Sequence, residues 1–98
     1  MPLLVSRQAK AEVDEIWSYV AVQSGSVDIA DRVVDEITET FHQISKHPNI
    51  GRRRDDLRRD LRSVLAGTHI VVYRVEGSYI RILHVVHGRR DIKAVVQQ

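Results

Sequence analysis

The stretch "LRSVLAGTHIVVYRVEGSYIRILHVV", residues 61–86, decides the fold. It divides into "LRSVLA" (61–66), "HIVVYRV" (69–75) and "YIRILHVV" (79–86), each rich in the β-branched and aromatic residues that suit a pleated surface. The breaks between them, Gly67-Thr68 and Glu76-Gly77-Ser78, are of hairpin length and contain glycine. Three antiparallel strands follow. The second and third are apolar on both sides, because successive side chains point to opposite faces. Ile70 and Val72 oppose Val71, Tyr73 and Val75, and simple alternation sets Ile80, Ile82 and Val86 against Leu83 and Val85. A sheet with one face in water alternates more cleanly, so both faces are expected to be covered.

The first cover lies upstream. Ala9, Val13, Ile16, Trp17 and Val20 recur with helical spacing, behind Ser6 as a cap and ahead of the break at Ser24-Gly25-Ser26, and predict a helix from about residue 7 to 22. Glu12, Asp14 and Glu15 fall mostly off that stripe and read as a solvated face, while Trp17 reads as core. Ala30, Val33, Val34, Ile37, Phe41 and Ile44 make a second stripe that ends near Lys46, since Pro48 disfavours helix before it. "PLLV" (2–5) suits an edge strand, with Pro2 where no ladder donor is needed. The result is an α+β domain: an N-terminal edge strand, then an antiparallel helix hairpin packed on a C-terminal antiparallel three-stranded sheet, in the order β-α-α-β-β-β. No long element remains for the second face. A partner polypeptide is the economical occupant; the alternative is a small satellite core under residues 49–60 and the tail.

Length and composition narrow the function classes. Ninety-eight residues form one domain, 1–98, and 43% apolar with 29% charged residues is the balance of a folded chain. With no cysteine, disulfides, thiolate nucleophiles and thiolate metal ligands are excluded. No apolar run approaches the roughly 20 residues that span a bilayer. "MPLLVSRQAK" lacks the order of a signal peptide, so a cytoplasmic protein is expected. The net charge of +2 hides an asymmetry. Residues 1–51 set four basic residues against eight acids (−4), and residues 52–98 set eleven against five (+6). The second half therefore has a field that attracts an acidic partner or a phosphate backbone.

Few residues offer chemistry. His84 and His87, three apart on a strand, point to opposite faces, and His42 and His47 are poorly spaced for one ion, so no metal is expected. No phosphate loop or nucleophile elbow occurs, and no cofactor is expected. Acid–base cleavage of RNA needs a base, cations at the phosphate and an acid for the leaving oxygen. Arg62, Arg74, Arg81, Arg89 and Arg90 could supply the cations and His84 or His87 a proton carrier. Arginine is a poor base, so the proton shuttle is thin. "GRRRDDLRRDLR" (51–62) interleaves aspartates with its arginines, which weighs against direct nucleic-acid binding and favours an ion-paired connection.

Several marks fall together along the chain. They are Pro48 with Gly51-Arg52, Leu61-Arg62, Tyr73-Arg74, the closing His87-Gly88-Arg89-Arg90-Asp91, and an Ile-Trp-x-Tyr run in the first helix. In these the sequence resembles the ParE branch of the RelE/ParE toxin superfamily over nearly its whole length. The resemblance implies a RelE-like fold and the toxin of a type II toxin–antitoxin system, held inactive by a ParD-like antitoxin whose disordered acidic C-terminal segment folds along it. It implies DNA gyrase as target in the ParE branch, and ribosome-dependent mRNA cleavage in the RelE branch. Arg62 and one of Arg89 or Arg90 match the arginines that the RelE branch uses on the scissile phosphate, but the late tyrosine of that branch has no counterpart after Arg90. The reading is therefore a gyrase inhibitor rather than an enzyme, with Arg62, Arg74, Arg81, His87, Arg89 and Arg90 as partner-binding residues. The alternative is a RelE-type endoribonuclease that uses Arg62, His87, Arg89 and Arg90 catalytically.

Overall fold

Ser6 and Ser26 each begin a helix for the same reason: extended at the cap position, each accepts a hydrogen bond from the backbone N–H three residues on. The computed structural model describes residues 1–96. Its order is β1 (Leu3–Val5), α1 (Arg7–Ser24), α2 (Val27–Lys46), β2 (Arg52–Arg53), β3 (Leu61–Ala66), β4 (His69–Glu76), β5 (Tyr79–His87) and α3 (Ile92–Val96). Gly25 ends α1 at φ 68°, a left-handed conformation that a side chain would strain. Trp17 is half-buried rather than core. Its Nε1 donates to Asp31 Oδ1 at 2.8 Å and ties α1 to α2.

The strands form one sheet in the order β1-β5-β4-β3-β2, with β1 parallel to β5 and every other pair antiparallel. The helices cover the face carrying Val71, Tyr73, Ile80, Ile82 and Val85, which join Ala9, Ile37 and Ile44 in the main core. Simple alternation misplaces Val85 and Val86. Tyr73 lies opposite Ile82 but Val72 lies opposite His84, so Leu83 is an extra residue that breaks the register. Beyond this bulge the parity of β5 is reversed, and Val85 enters the helix-side core.

The second face corrects the expectation of an uncovered surface awaiting a partner. Leu57, Leu61, Val72 and Val96 form a satellite core there, with Ile70, Leu83 and Ile92 packed on it. Two short devices build this cover. Arg54 N–H donates to Leu61 O at 2.7 Å and Leu57 N–H donates to Arg54 O at 2.9 Å, folding the charged loop back so that its one leucine faces the sheet. Asp91 then starts α3, accepting from Ala94 N–H on Oδ1 at 3.4 Å and from Val95 N–H on its carbonyl at 3.3 Å. One leucine among arginines, and a helix of only five residues, lie below what periodicity detects.

A buried phenol joins the helix hairpin to the sheet. Tyr73 is fully buried; its hydroxyl donates to Pro48 O at 2.7 Å and accepts from Gly51 N–H at 2.9 Å. A Cβ at Gly51 would lie 2.7 Å from the Tyr73 ring, so the loop comes this close only as glycine. Arg62 completes the latch by donating to Gly51 O at 2.8 Å. Burial pushes the Tyr73 phenol above its ordinary value, which keeps it a donor.

Tyr73→Phe leaves a donor and an acceptor of this loop unpaired, and is expected to lower unfolding free energy by about 1–3 kcal/mol in urea titrations. Unchanged stability would show that the loop holds without the phenol. Leu57→Ala is expected to cost about 2 kcal/mol in the same measurement; a neutral result would mean that the satellite core adds nothing.

Candidate partner-binding site

Because β1 has only three residues, it reaches β5 only at Ile80–Ile82. From Leu83 onward the outer edge of β5 has no strand beside it among the described residues, and Ser6 at the start of α1 and a side chain of α1 take over. Ser6 N–H donates to Ile82 O at 2.9 Å and Ser6 Oγ to Leu83 O at 3.2 Å. Val85 N–H then donates to Glu12 Oε1 at 2.9 Å, and His84 Nδ1 meets Glu12 Oε2 at 3.2 Å. With a carboxylate as acceptor, the proton of this bond sits on Nδ1. Glu12, expected on a solvated face, is thus only 12% exposed and substitutes for a missing strand.

Past Glu12 the edge opens into a groove of about 720 Å³. Ile16, Val20 and Val33 of the helices and Val85 and Val86 of β5 make it apolar, with Tyr19 exposed beside them. Glu12 and Glu15 stand on the α1 side, and His87, Arg89 and Arg90 form the opposite rim. The turn carrying the two arginines is tightly held. Gly88 N–H donates to Thr68 O at 2.8 Å, Arg90 N–H to His87 O at 3.0 Å, and Arg89 N–H to His87 Nδ1 at 3.1 Å. Both guanidinium groups are exposed, and neither makes an ion pair among the described residues. An apolar floor with cations at one end suits an amphipathic, acidic partner.

The remaining predicted site residues lie elsewhere. Arg62 belongs to the Tyr73 latch. Arg74 and Arg81 face each other across β4 and β5, a repulsive pairing held by one carboxylate. Glu76 accepts from Tyr79 OH at 2.7 Å, from Arg74 Nε at 3.0 Å and from Arg81 Nε at 3.2 Å. These bonds, Tyr79's first and then the arginines', hold its carboxyl down to about 2. The Arg81 guanidinium also lies 5.7 Å from the centre of the Tyr79 ring. This quartet is internally satisfied.

Arg62 and His87 are far apart. Arg62 lies opposite Tyr73 and His87 opposite His69, which is four rows along and two strands across, or roughly 16 Å. The arrangement does not gather Arg62, His87, Arg89 and Arg90 around one phosphate.

His69, which the sequence reading passed over, sits under the rim. It is 6% exposed, with its ring edge-on to His87 at 5.3 Å between centroids. Burial chiefly, and then His87, depress its pKa below the ordinary 6.5, with Glu36 of α2 opposing. The unfolded chain therefore binds a proton that the folded chain refuses, and stability falls as pH drops below about 6.5. Urea midpoints at pH 7 and pH 5 should show this loss in the native chain and a smaller one in His69→Gln. Equal losses would remove His69 as its source.

Comparison with known proteins bears on this geometry. Residues 3–92 match the family model described as the ParE toxin of the type II toxin–antitoxin system parDE. A Caulobacter vibrioides protein named Toxin ParE1 is 36% identical over 93 residues, covering 95% of each chain. A Mycobacterium tuberculosis protein of the same name is 34% identical over 90 residues, covering 91% of each. Among solved structures, a chain of the chromosomal ParDE system from P. aeruginosa superposes with a TM-score of 0.78 at 26% identity, over 89% of this chain and 95% of that one.

Proposed function

This chain belongs to the ParE toxin family of type II toxin–antitoxin systems, and from that premise we propose that it arrests growth by binding DNA gyrase and is silenced by an acidic, amphipathic antitoxin segment laid along the α1–β5 groove. The observation that carries a binding role over a cleaving one is how the arginines are employed. Arg62 donates to loop carbonyls, and Arg74 and Arg81 share Glu76. Only Arg89 and Arg90 project from the groove rim without an ion partner among the described residues. Cleavage of a phosphodiester asks for a base, an acid and cations converging within hydrogen-bond distance of one site. A rim of two cations beside an apolar floor asks for nothing more than a complementary surface. His87 contributes by fixing the turn through its Nδ1.

Gyrase as the target rests on the resemblance to the ParE branch and on the wide separation of Arg62 from His87. An acidic antitoxin segment is supported by the excess of eleven basic over five acidic residues in positions 52–98. Such a segment orders on binding, so part of its contact energy is offset by lost chain entropy, and its affinity depends on the groove being preformed.

Purified chain is expected to block supercoiling by gyrase, to leave a reporter message intact on translating ribosomes, and to release gyrase when antitoxin is added. Cleaved message with normal supercoiling would overturn the proposal. The double variant Arg89→Glu, Arg90→Glu should weaken antitoxin binding about tenfold or more, and the loss should shrink as salt is raised.

A further inference from the structure

One edge of the sheet is β1, which pairs with β5 and has no strand on its other side among the described residues. The register shows which backbone groups this leaves open. Ile80 N–H donates to Pro2 O at 2.8 Å and Ser6 N–H donates to Ile82 O at 2.9 Å, so Pro2, Leu4 and Ser6 turn their polar groups toward β5. These groups alternate along a strand, so the N–H and C=O of Leu3 and of Val5 point away from the sheet. None of them has a hydrogen-bond partner among the described residues. Edges are commonly blunted by a charge, a bulge or a cover. β1 is Leu3-Leu4-Val5, and the helices do not roof it fully: open hollows of about 260 and 280 Å³ lie beside Leu3 and Val5, with Phe41 bordering both. Leu4 lies beside Arg81 in the register, on the face away from the helices, and is 52% exposed.

We propose that this edge pairs with itself: the β1 strands of two copies meet antiparallel about a two-fold axis at Leu4, forming a dimer with one continuous sheet. The surface is independent of which target the chain binds. Its open groups are self-complementary. In this register Leu3 faces Val5 of the second copy and Val5 faces Leu3 of the second copy, and each pair exchanges both of its N–H···O=C bonds. Leu4 then meets Leu4 of the second copy as a non-hydrogen-bonded pair, the closer kind, with Cα atoms about 4.5 Å apart. Two half-exposed leucines thereby cover each other. Charge also suits a second copy. Lys10 and Asp14 border the hollow beside Val5, and His42 borders the one beside Leu3. The two-fold sets one kind of hollow against the other and brings Asp14 of each copy toward His42 of its mate. The far edge cannot pair in this way, because β2 is Arg52-Arg53 and would set like charge on like. A contact that uses the same patch on both copies closes on itself, so it gives a dimer and not a fibre.

Sedimentation velocity on the full chain is expected to show monomer passing to dimer between about 10 μM and about 1 mM, the range in which a small interface associates. Across that range the Leu3 and Val5 amides should exchange about fivefold more slowly at the higher concentration, while the Leu4 amide, already facing β5, keeps its rate. Leu4→Glu and Leu4→Lys alter an exposed side chain, and each should stay monomeric because the axis sets like charge on like. Mixed in equal amounts, the two variants should dimerise again. A native chain that is monomeric throughout overturns the proposal. A dimer that persists in Leu4→Lys places the contact elsewhere and also overturns it. So does a mixture of folded variants that stays monomeric, since Leu4 then does not meet its own copy. Should either variant misfold, the native chain decides alone: Leu3 and Val5 exchange rates that ignore concentration overturn the pairing.

Discussion

The carboxylate of Glu12 does for β5 what β1 is too short to do. A strand edge left open costs unpaired backbone groups or invites aggregation, and the usual remedy is another strand. Here α1 lies along the edge and supplies a side-chain acceptor to Val85 N–H, with His84 on its second oxygen. These two bonds tie α1 to the outer edge of β5. Beyond Glu12 a groove remains between α1 and the end of β5. The candidate partner-binding groove thus begins where the closed part of this edge ends.

Much of this was legible in the sequence. The three C-terminal strands, both helices and their serine caps follow from periodicity and local chemistry, and the family resemblance falls on residues that the structure explains. Pro48, Gly51 and Tyr73 form one hydrogen-bonded latch, and Asp91 caps α3. Elements whose meaning depends on long-range contact were hidden. Glu12 looks like any surface acid until the missing strand beside it is known, and Leu57 looks like a stray leucine in a charged loop. The bulge at Leu83 has no glycine or proline to announce it. Of the candidate site, the closing arginines stand out by charge and position, but Arg62, Arg74 and Arg81 carry the same charge, and only geometry separates guanidinium groups bonded within the fold from those without an ion pair among the described residues.

That separation matters for how a small basic protein recognises a partner. Surface ion pairs are worth little in isolation, and a cation already bonded within its own fold has fewer donors to offer. Glu76 binds two facing arginines with a tyrosine and leaves the quartet with a single net positive charge. Half-exposed guanidinium groups in such a cluster still shape the long-range field that draws an acidic chain inward. Their donors are already engaged by Glu76 and Tyr79. In the proposed mode of binding, field and contact fall to different arginines, the first within the sheet and the second in the turn after β5.

The self-made cover of the second face completes the logic. With Leu57 and Val96 seated on Leu61 and Val72, the centre of that face is closed to a foreign helix unless the chain's own segments leave. Displacing them would expose fully buried Leu61 and Val72 and lose the stabilisation their burial supplies, about 25 cal/mol for each Å² returned to water. A partner that avoids this cost must use what the fold already leaves unfilled, which is the groove between α1 and the end of β5. An extended, acidic segment meets that demand better than a rigid domain does, because it can lie along the groove without disturbing the segments that cover the second face.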